Sequence, residues 1–107
     1  MSAVVYHIEN LITGSLYIGK TNNPRRRFFQ HRYALENKKH CNAHLQNAWN
    51  KYGAKAFRFK VRRIYVSCTE ALAAEVKLIA RLKAAGIILY NMTNGGENGS
   101  RKPRRRK

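Results

Sequence analysis

The start of the chain contains two apolar runs separated by a polar turn. Residues 3–8 (Ala-Val-Val-Tyr-His-Ile) form the first run, and residues 16–19 (Leu-Tyr-Ile-Gly) form the second. The segment 10–15 between them contains Thr13-Gly14, a pair typical of turns. This pattern predicts a β-hairpin that carries one tyrosine on each arm, Tyr6 and Tyr17.

Two helices are predicted after the hairpin. Asn23 is followed by a proline, an order typical of a helix N-cap and first helical position, and a basic helix is expected from Arg25 to about Leu35. Asn42 precedes a second segment, 43–52, whose apolar residues recur at helical spacing. A glycine follows this segment, so we expect an amphipathic helix that ends at Tyr52.

A third strand and a third helix follow. Residues 57–61 alternate between aromatic or aliphatic and basic side chains, and the alternation slips at Arg62-Arg63 before it resumes at 64–66. This slip predicts a strand with a bulge or twist. Ser67-Cys-Thr-Glu70 has the spacing of a capping box, which predicts a helix from Thr69 to about Ala85.

The third helix carries the acid of greatest interest. Its predicted inward stripe consists of Leu72, Val76, Ile79 and Leu82, and Glu75 lies on the same side. Burying a carboxylate costs several kcal/mol unless it is paired or bound to metal. The pattern leaves a salt bridge to an arginine and a metal ion equally open. The remaining acids, Glu9, Glu36, Glu70 and Glu97, lie at a cap, beside turns or at exposed helix positions.

Composition adds a strong electrostatic signal. The 107 residues include 22 Lys and Arg against 5 Glu and no Asp, which gives a formal net charge of +17. Such a field attracts polyanions, so nucleic acid is the expected partner. No membrane partner is expected. One domain is expected over 1–99, and the basic segment 100–107 is predicted to be a disordered tail.

The lack of a recognisable targeting signal and the presence of only two cysteines suggest an intracellular protein. No apolar stretch approaches the roughly 20 residues of a membrane span, and the start lacks the order of a secretory signal. We expect a cytoplasmic, nucleoid-associated protein or a phage-encoded intracellular one. Cys41 and Cys68 are expected to be free thiols. A zinc site that combines them with His40 and His44 is disfavoured, because the spacing lacks the two pairs of a structural site.

The first helix combines two side chains suited to phosphate chemistry. Arg27 and His31 are four residues apart and therefore project from one helical face. A guanidinium can bind a phosphate through two hydrogen bonds, and an imidazole can donate or relay a proton. For Arg25 and Arg26, a solvated basic face that contacts the nucleic-acid backbone without specificity is favoured.

These residues together resemble the GIY-YIG nuclease family. The likeness extends to about Glu97 and is strongest to the catalytic domain of intron-encoded homing endonucleases. It rests on these positions in order: Val4-Val5-Tyr6, Tyr17-Ile18-Gly19, Arg27, His31, the His40 region, the segment 45–53, Glu75, Tyr90-Asn91 and Gly95-Gly96. The glycine that the family has in its first motif is Val4 here.

The resemblance implies an α/β (α+β) fold, a central three-stranded antiparallel sheet flanked by helices. It also implies a divalent-metal-dependent DNA endonuclease that hydrolyses phosphodiester bonds with one Mg²⁺ or Mn²⁺ ion per site. The implied catalytic roles are metal ligand for Glu75, general base for Tyr6, its helper for Tyr17, phosphate contact for Arg27, proton transfer for His31 and site positioning for Asn91. The expected DNA-binding residues are Lys20, Arg25, Arg26, Arg32, His40, Arg104 and Arg105.

Charge alone also fits a noncatalytic nucleic-acid-binding protein, such as an inactive relative or a ribosome-associated protein. The set of candidate catalytic residues favours the nuclease. Members of this family usually carry a separate targeting domain, and the resemblance covers only the catalytic domain. Sequence specificity could therefore be weak, or it could be supplied by a homodimer or by a partner protein.

Overall fold

The computed structural model describes residues 2–91, which form an α+β fold around one antiparallel sheet. The sheet has three strands in the order β2-β1-β3. The elements are β1 (Ala3–Asn10), β2 (Leu16–Thr21), α1 (Pro24–Glu36), α2 (Ala43–Tyr52), a short 3₁₀ helix (Ala54–Ala56), β3 (Phe57–Tyr65) and α3 (Cys68–Ala84). The predicted fold class and the predicted hairpin are therefore confirmed, and both hairpin strands run two residues further than the sequence suggested.

The third strand contains the predicted irregularity. In the register of β1 with β3, Val5 lies opposite Arg63 and Tyr6 lies opposite Val61. Arg62 is thus an extra residue on β3, which is the two-against-one arrangement of a β-bulge. The bulge was predicted at Arg62-Arg63 and is confirmed there.

Side-chain caps determine where the three helices begin. Asn23 Oδ1 accepts a hydrogen bond from the N–H of Arg26 (3.1 Å), and Asn42 Oδ1 accepts one from Leu45 (2.9 Å). Ser67 Oγ accepts one from the N–H of Glu70 at 3.2 Å. Each cap satisfies a backbone donor that has no partner within its helix. The three predicted caps are confirmed, and α3 begins and ends one residue earlier than expected.

The sheet is covered on both faces because successive residues of β1 point to opposite sides. Tyr6 and Ile8 belong to the cluster that packs against α1 and α2, which contribute Leu35, Leu45 and Trp49. Ala3, Val5 and Ile18 belong to a second cluster, which packs against Ala71 and Ile79 of α3. The two clusters hold α1 and α3 on opposite faces of one short sheet, with β1 between them.

The buried stripe of α3 differs from the predicted one. Ala71, Glu75 and Ile79 are its buried residues, whereas Val76 is 40% exposed. The expectation that Val76 faces inward was wrong, because the four-residue repeat from Ala71 to Ile79 lies against the sheet and Val76 is turned about 100° away. Glu75 is therefore in the middle of the buried stripe.

After α3 the chain returns to the hairpin. Gly86 adopts a positive φ of 87° just after the helix, a conformation that glycine tolerates best. Leu89 then pairs with Leu16 in a parallel bridge, which places Asn91 beside β2. Within residues 2–91, no helix has the length and apolar character to span a membrane. The predicted domain boundary at residue 99 and the tail 100–107 lie outside the described residues.

Candidate active site

A cavity of about 480 Å³ opens where β1, β2, α1 and α3 meet. Tyr6, Tyr17, Arg27 and Glu75 all contribute to its wall. Each of these residues comes from a different helix or strand, and Tyr6 and Glu75 belong to the first and the last of the named elements. Four of the six predicted catalytic residues are thus brought together.

Two histidines form a hydrogen-bonded chain behind Tyr6. The Tyr6 hydroxyl lies 2.7 Å from Nε2 of His31, and Nδ1 of His31 lies 2.7 Å from Nε2 of His40. Nδ1 of His40 accepts a hydrogen bond from the backbone N–H of Asn42 (3.0 Å). His40 was predicted to bind DNA. In the structure it forms a hydrogen bond with His31, the histidine that contacts the Tyr6 hydroxyl.

The backbone donor at the end of this chain determines both tautomers. A backbone N–H can only donate, so Nδ1 of His40 is an acceptor and the neutral ring carries its proton on Nε2. His40 therefore donates to Nδ1 of His31, and neutral His31 carries its own proton on Nε2. His31 then donates to the Tyr6 oxygen, which leaves the Tyr6 proton free to point elsewhere.

Burial keeps both imidazoles neutral. Burial, together with the smaller effects of His40 and Arg27, lowers the pKa of His31 to about 3. Burial and the charge of Arg27 lower the pKa of His40 to about 4, against a small opposing effect of the Asn42 backbone hydrogen bond. At neutral pH the chain of donors described above is therefore intact.

These histidines should make folding stability depend on pH. In the unfolded chain His31 and His40 bind protons below about pH 6.5, whereas in the folded protein they bind them only near pH 3 to 4. The stability of the folded protein therefore falls as the pH drops from about 6.5 towards 4. Burial also lowers the pKa of His7, which acts in the same direction. We expect urea unfolding to show lower stability at pH 5 than at pH 7, by at most about 1.4 kcal/mol per pH unit for His31 alone.

A matched variant tests the origin of this slope. His31→Gln/His40→Gln removes both titrating groups, and its stability should change less between the two pH values than that of the parent. Equal slopes in parent and variant would show that these histidines titrate normally in the folded protein.

The two tyrosines are protonated in the resting protein. Burial raises the pKa of Tyr6, and a hydrogen bond and charge from Arg27 oppose this effect. Burial also raises the pKa of Tyr17 well above its usual value, and the neighbouring Tyr6 adds to the shift. Either phenol therefore needs additional positive charge or hydrogen-bond donors before it can act as a base near neutral pH.

Arg27 presents donors to the same space. Its Nη1 lies 3.5 Å from Oε1 of Gln30, at the outer limit of a hydrogen bond. Its Nε is buried and has no acceptor among the described residues. Leaving a buried donor unsatisfied is costly, and a phosphate oxygen is a matching acceptor. Arg27 is therefore placed to bind an anion in the cavity.

Glu75 is the one acid among the described residues that line this cavity. It is 5% exposed and lies near the middle of α3. Within residues 2–91 no group of three or more His, Cys, Asp or Glu side chains is arranged to hold a metal ion. Cys41 and Cys68 are free and exposed. Any ion in this cavity would thus have Glu75 as its protein carboxylate.

Gly19 is needed for a close approach to Tyr6. A Cβ atom at Gly19 would lie 2.5 Å from both Cζ and the hydroxyl oxygen of Tyr6. The Tyr6 ring is buried and cannot move aside cheaply. The glycine of the second motif therefore gives the tyrosine of the first motif its position, a role that the sequence did not reveal.

Gly19→Ala should consequently displace Tyr6. We expect a loss of about 1 to 3 kcal/mol in stability, the usual cost of overpacking, together with a loss of the activity of this site. Melting curves and activity assays measure the two effects. Gly14→Ala is the control, because nothing lies within 4 Å of its added Cβ and only its positive φ is strained. It should cost about 1 to 2 kcal/mol in stability and leave the activity of the site unchanged. Full activity of Gly19→Ala would contradict the proposed contact.

Asn91 holds β2 from outside the cavity. Its Oδ1 accepts from the N–H of Ile18 and its Nδ2 donates to the carbonyl of Ile18, both at 2.8 Å. These bonds lie next to Tyr17 in the strand. The side chain thus positions the strand that carries Tyr17.

The predicted DNA-binding residues are distributed unevenly. Lys20 and Arg26 line the cavity, and Arg25 and Arg32 are exposed on α1. Arg104 and Arg105 lie outside the described residues. Asn42 and Gln46 were missed as site residues: Gln46 Oε1 accepts from the N–H of His40 at 3.0 Å. Asn42 was recognisable only as a helix cap.

Two tyrosines, an arginine and one carboxylate surround a cavity in a small α+β domain, and these side chains are suited to phosphodiester hydrolysis by a nuclease. The model of the GIY-YIG catalytic domain matches residues 2–91. The chain therefore belongs to the GIY-YIG family and is a phosphodiester hydrolase.

Two solved structures share the fold. A mutant form of the catalytic domain of intron endonuclease I-TevI is similar with a TM-score of 0.76 at 22% identity, over 89% of this chain and 97% of that one. The catalytic domain of the homing endonuclease I-TevI is similar with a TM-score of 0.74 at 23% identity, over 85% and 98%. A comparison with curated proteins found no match.

Proposed function

We propose that this protein is a divalent-metal-dependent DNA endonuclease that uses one metal ion per site. The observation that carries the proposal is the cavity in which Arg27 and Glu75 lie beside a tyrosine that accepts a hydrogen bond from a neutral histidine. The net charge of +17 supports a polyanionic substrate. The family and the fold shared with I-TevI support the same activity.

The residues present fit one hard cation. Mg²⁺ keeps several of its waters and is usually held by one or two carboxylates together with substrate phosphates. Glu75 supplies one carboxylate to a cavity that otherwise presents hydroxyl, amide and cationic groups and the thiol of Cys68. Glu75 would hold Mg²⁺ or Mn²⁺ there, and the bound ion would stabilise negative charge that develops on the phosphate. A clamp of two metal ions would need more carboxylates than this cavity offers.

The remaining groups divide the work on the scissile phosphate. Arg27 binds a nonbridging oxygen through its buried Nε and its Nη groups. Once the Tyr6 phenol has lost its proton to solvent, the Nε2–H of His31 stabilises the phenolate. The phenolate accepts a proton from the attacking water as the water oxygen bonds to phosphorus and the P–O bond to the leaving oxygen breaks, and the leaving oxygen takes a proton from solvent. Tyr17 lines the same wall and orients the water or the phosphate. His40 and Asn91 act as positioning residues, because they hold His31 and β2 respectively.

Cleavage of supercoiled plasmid tests the proposal. The protein should produce nicked or linear DNA in Mg²⁺ or Mn²⁺ and leave the plasmid supercoiled in EDTA. Cleavage that persists in EDTA would contradict the metal requirement. DNA that is bound but uncut with either ion would instead support the noncatalytic alternative.

A further inference from the structure

A second cavity lies on the other flank of α3, away from the nuclease site. Its volume is about 320 Å³, and it lies between α3 and the edge strand β3 and opens to solvent. Ala74 and Leu78 form its α3 wall, whereas Glu75 belongs to the nuclease cavity. Among the residues that the structure describes, none of those predicted to bind DNA lines this second cavity. We refer to it as the α3–β3 cleft.

Four cations surround the α3–β3 cleft. Arg62 and Arg63 come from β3, and Lys77 and Arg81 come from one face of α3, four residues apart. The described residues that line the cleft include no acid. Like charges held around one cavity repel each other, and an anion between them would relieve that repulsion. The charge pattern therefore points to an anionic ligand.

The β-bulge explains why two successive arginines reach the same cleft. Neighbours on a regular strand point to opposite faces of the sheet. Because Arg62 is the extra residue of the bulge, both Arg62 and Arg63 line the cleft. The bulge thus redirects a side chain towards the helix.

Both arginines are held by neighbouring side chains. Nη1 of Arg62 donates to Nδ1 of His7 at 3.0 Å, and burial lowers the pKa of His7 and so favours this acceptor. The guanidinium of Arg63 lies over the ring of Tyr65, 5.7 Å from its centre. Guanidinium groups that are already oriented lose less entropy when they bind a phosphate.

Charge on an edge strand also prevents strands of different molecules from pairing. That explanation accounts for Arg62 and Arg63 alone, since Lys77 and Arg81 belong to a helix and face the same space. We propose that the α3–β3 cleft is a second phosphate-binding site, which holds the backbone of duplex DNA at a distance from the scissile phosphate. The inference rests on the proposed function only in taking DNA as the ligand.

Salt dependence of binding tests this second site. Lys77→Gln/Arg81→Gln removes two helix-surface cations, and Lys51→Gln/Lys55→Gln removes two exposed cations that line neither cavity. Binding of each protein to a labelled duplex is measured in EDTA, so that no cleavage occurs. The slope of log affinity against log salt should fall by about 1.8 in the cleft variant and stay near the parental value in the control. Between about 50 and 200 mM salt the parent would then lose roughly tenfold more affinity than the cleft variant.

Two further measurements make the outcome decisive. Lys77→Arg/Arg81→Lys keeps both charges and should retain the parental slope, and melting curves verify that all variants fold. The single-turnover cleavage rate at saturating DNA should be unchanged in the cleft variant. Equal slopes in the cleft variant and the parent, or in the cleft variant and the control, would overturn the second site while the proposed nuclease stands. A parent that neither binds nor cleaves the duplex would overturn both.

Discussion

Glu75→Ala should abolish cleavage while it leaves DNA binding nearly intact. The substitution removes the one carboxylate among the described residues of the nuclease cavity and removes no cation that attracts DNA. We expect no detectable plasmid cleavage in Mg²⁺ or Mn²⁺, and an affinity for duplex DNA within about twofold of the parent or higher, since a negative charge is lost.

Two variants keep this prediction informative. Glu75→Gln preserves the shape of a side chain that is 5% exposed, so it separates loss of charge from loss of packing. Glu70→Ala removes an exposed acid from the first turn of the same helix and should cleave normally. Near-parental cleavage by Glu75→Gln would show that Glu75 is not the metal ligand.

Tyr6→Phe should lower the cleavage rate by about 10²- to 10⁴-fold, the usual contribution of a general base. Only the hydroxyl that faces His31 is removed, whereas the ring keeps its edge-to-face contact with Phe28, at 5.3 Å between centres. The fold should therefore persist. Single-turnover kinetics from pH 6 to 9, with melting curves as a check on folding, would measure the effect.

Tyr90→Phe is the matched control for this substitution. Tyr90 is also a buried tyrosine, and its hydroxyl accepts a hydrogen bond from Asn10 Nδ2 at 3.0 Å, outside the nuclease cavity. Its loss should cost about 1 kcal/mol in stability and leave the cleavage rate unchanged. An unchanged rate in Tyr6→Phe would transfer the role of base to Tyr17, whereas an equal loss in both variants would indicate a structural effect.

Features that depend on near neighbours in the chain could be predicted from the amino-acid sequence. Asn23, Asn42 and Ser67 were predicted to begin helices, because a cap needs only a side-chain acceptor and a backbone donor three residues away. The bulge at Arg62 was visible as a slip in a two-residue alternation. The four-residue spacing of Arg27 and His31 predicted that both lie on one face of α1, because residues four apart are neighbours on a helix surface. These patterns involve only residues that are close in the chain, so they can be recognised without knowledge of the tertiary packing.

How these elements meet could not be predicted from the sequence, because it depends on the packing of distant residues. Glu75 and Val76 are adjacent in sequence, and contact with the sheet determined which of them is buried. The role of Gly19 depends on the ring of Tyr6 from the opposite strand. The tautomer of His31 depends on a backbone N–H at position 42, and the cleft beside β3 requires cations from a strand and a helix. Such contacts join residues that are distant in the chain, and they form only when burial of apolar surface brings α1 and α3 onto the two faces of one sheet.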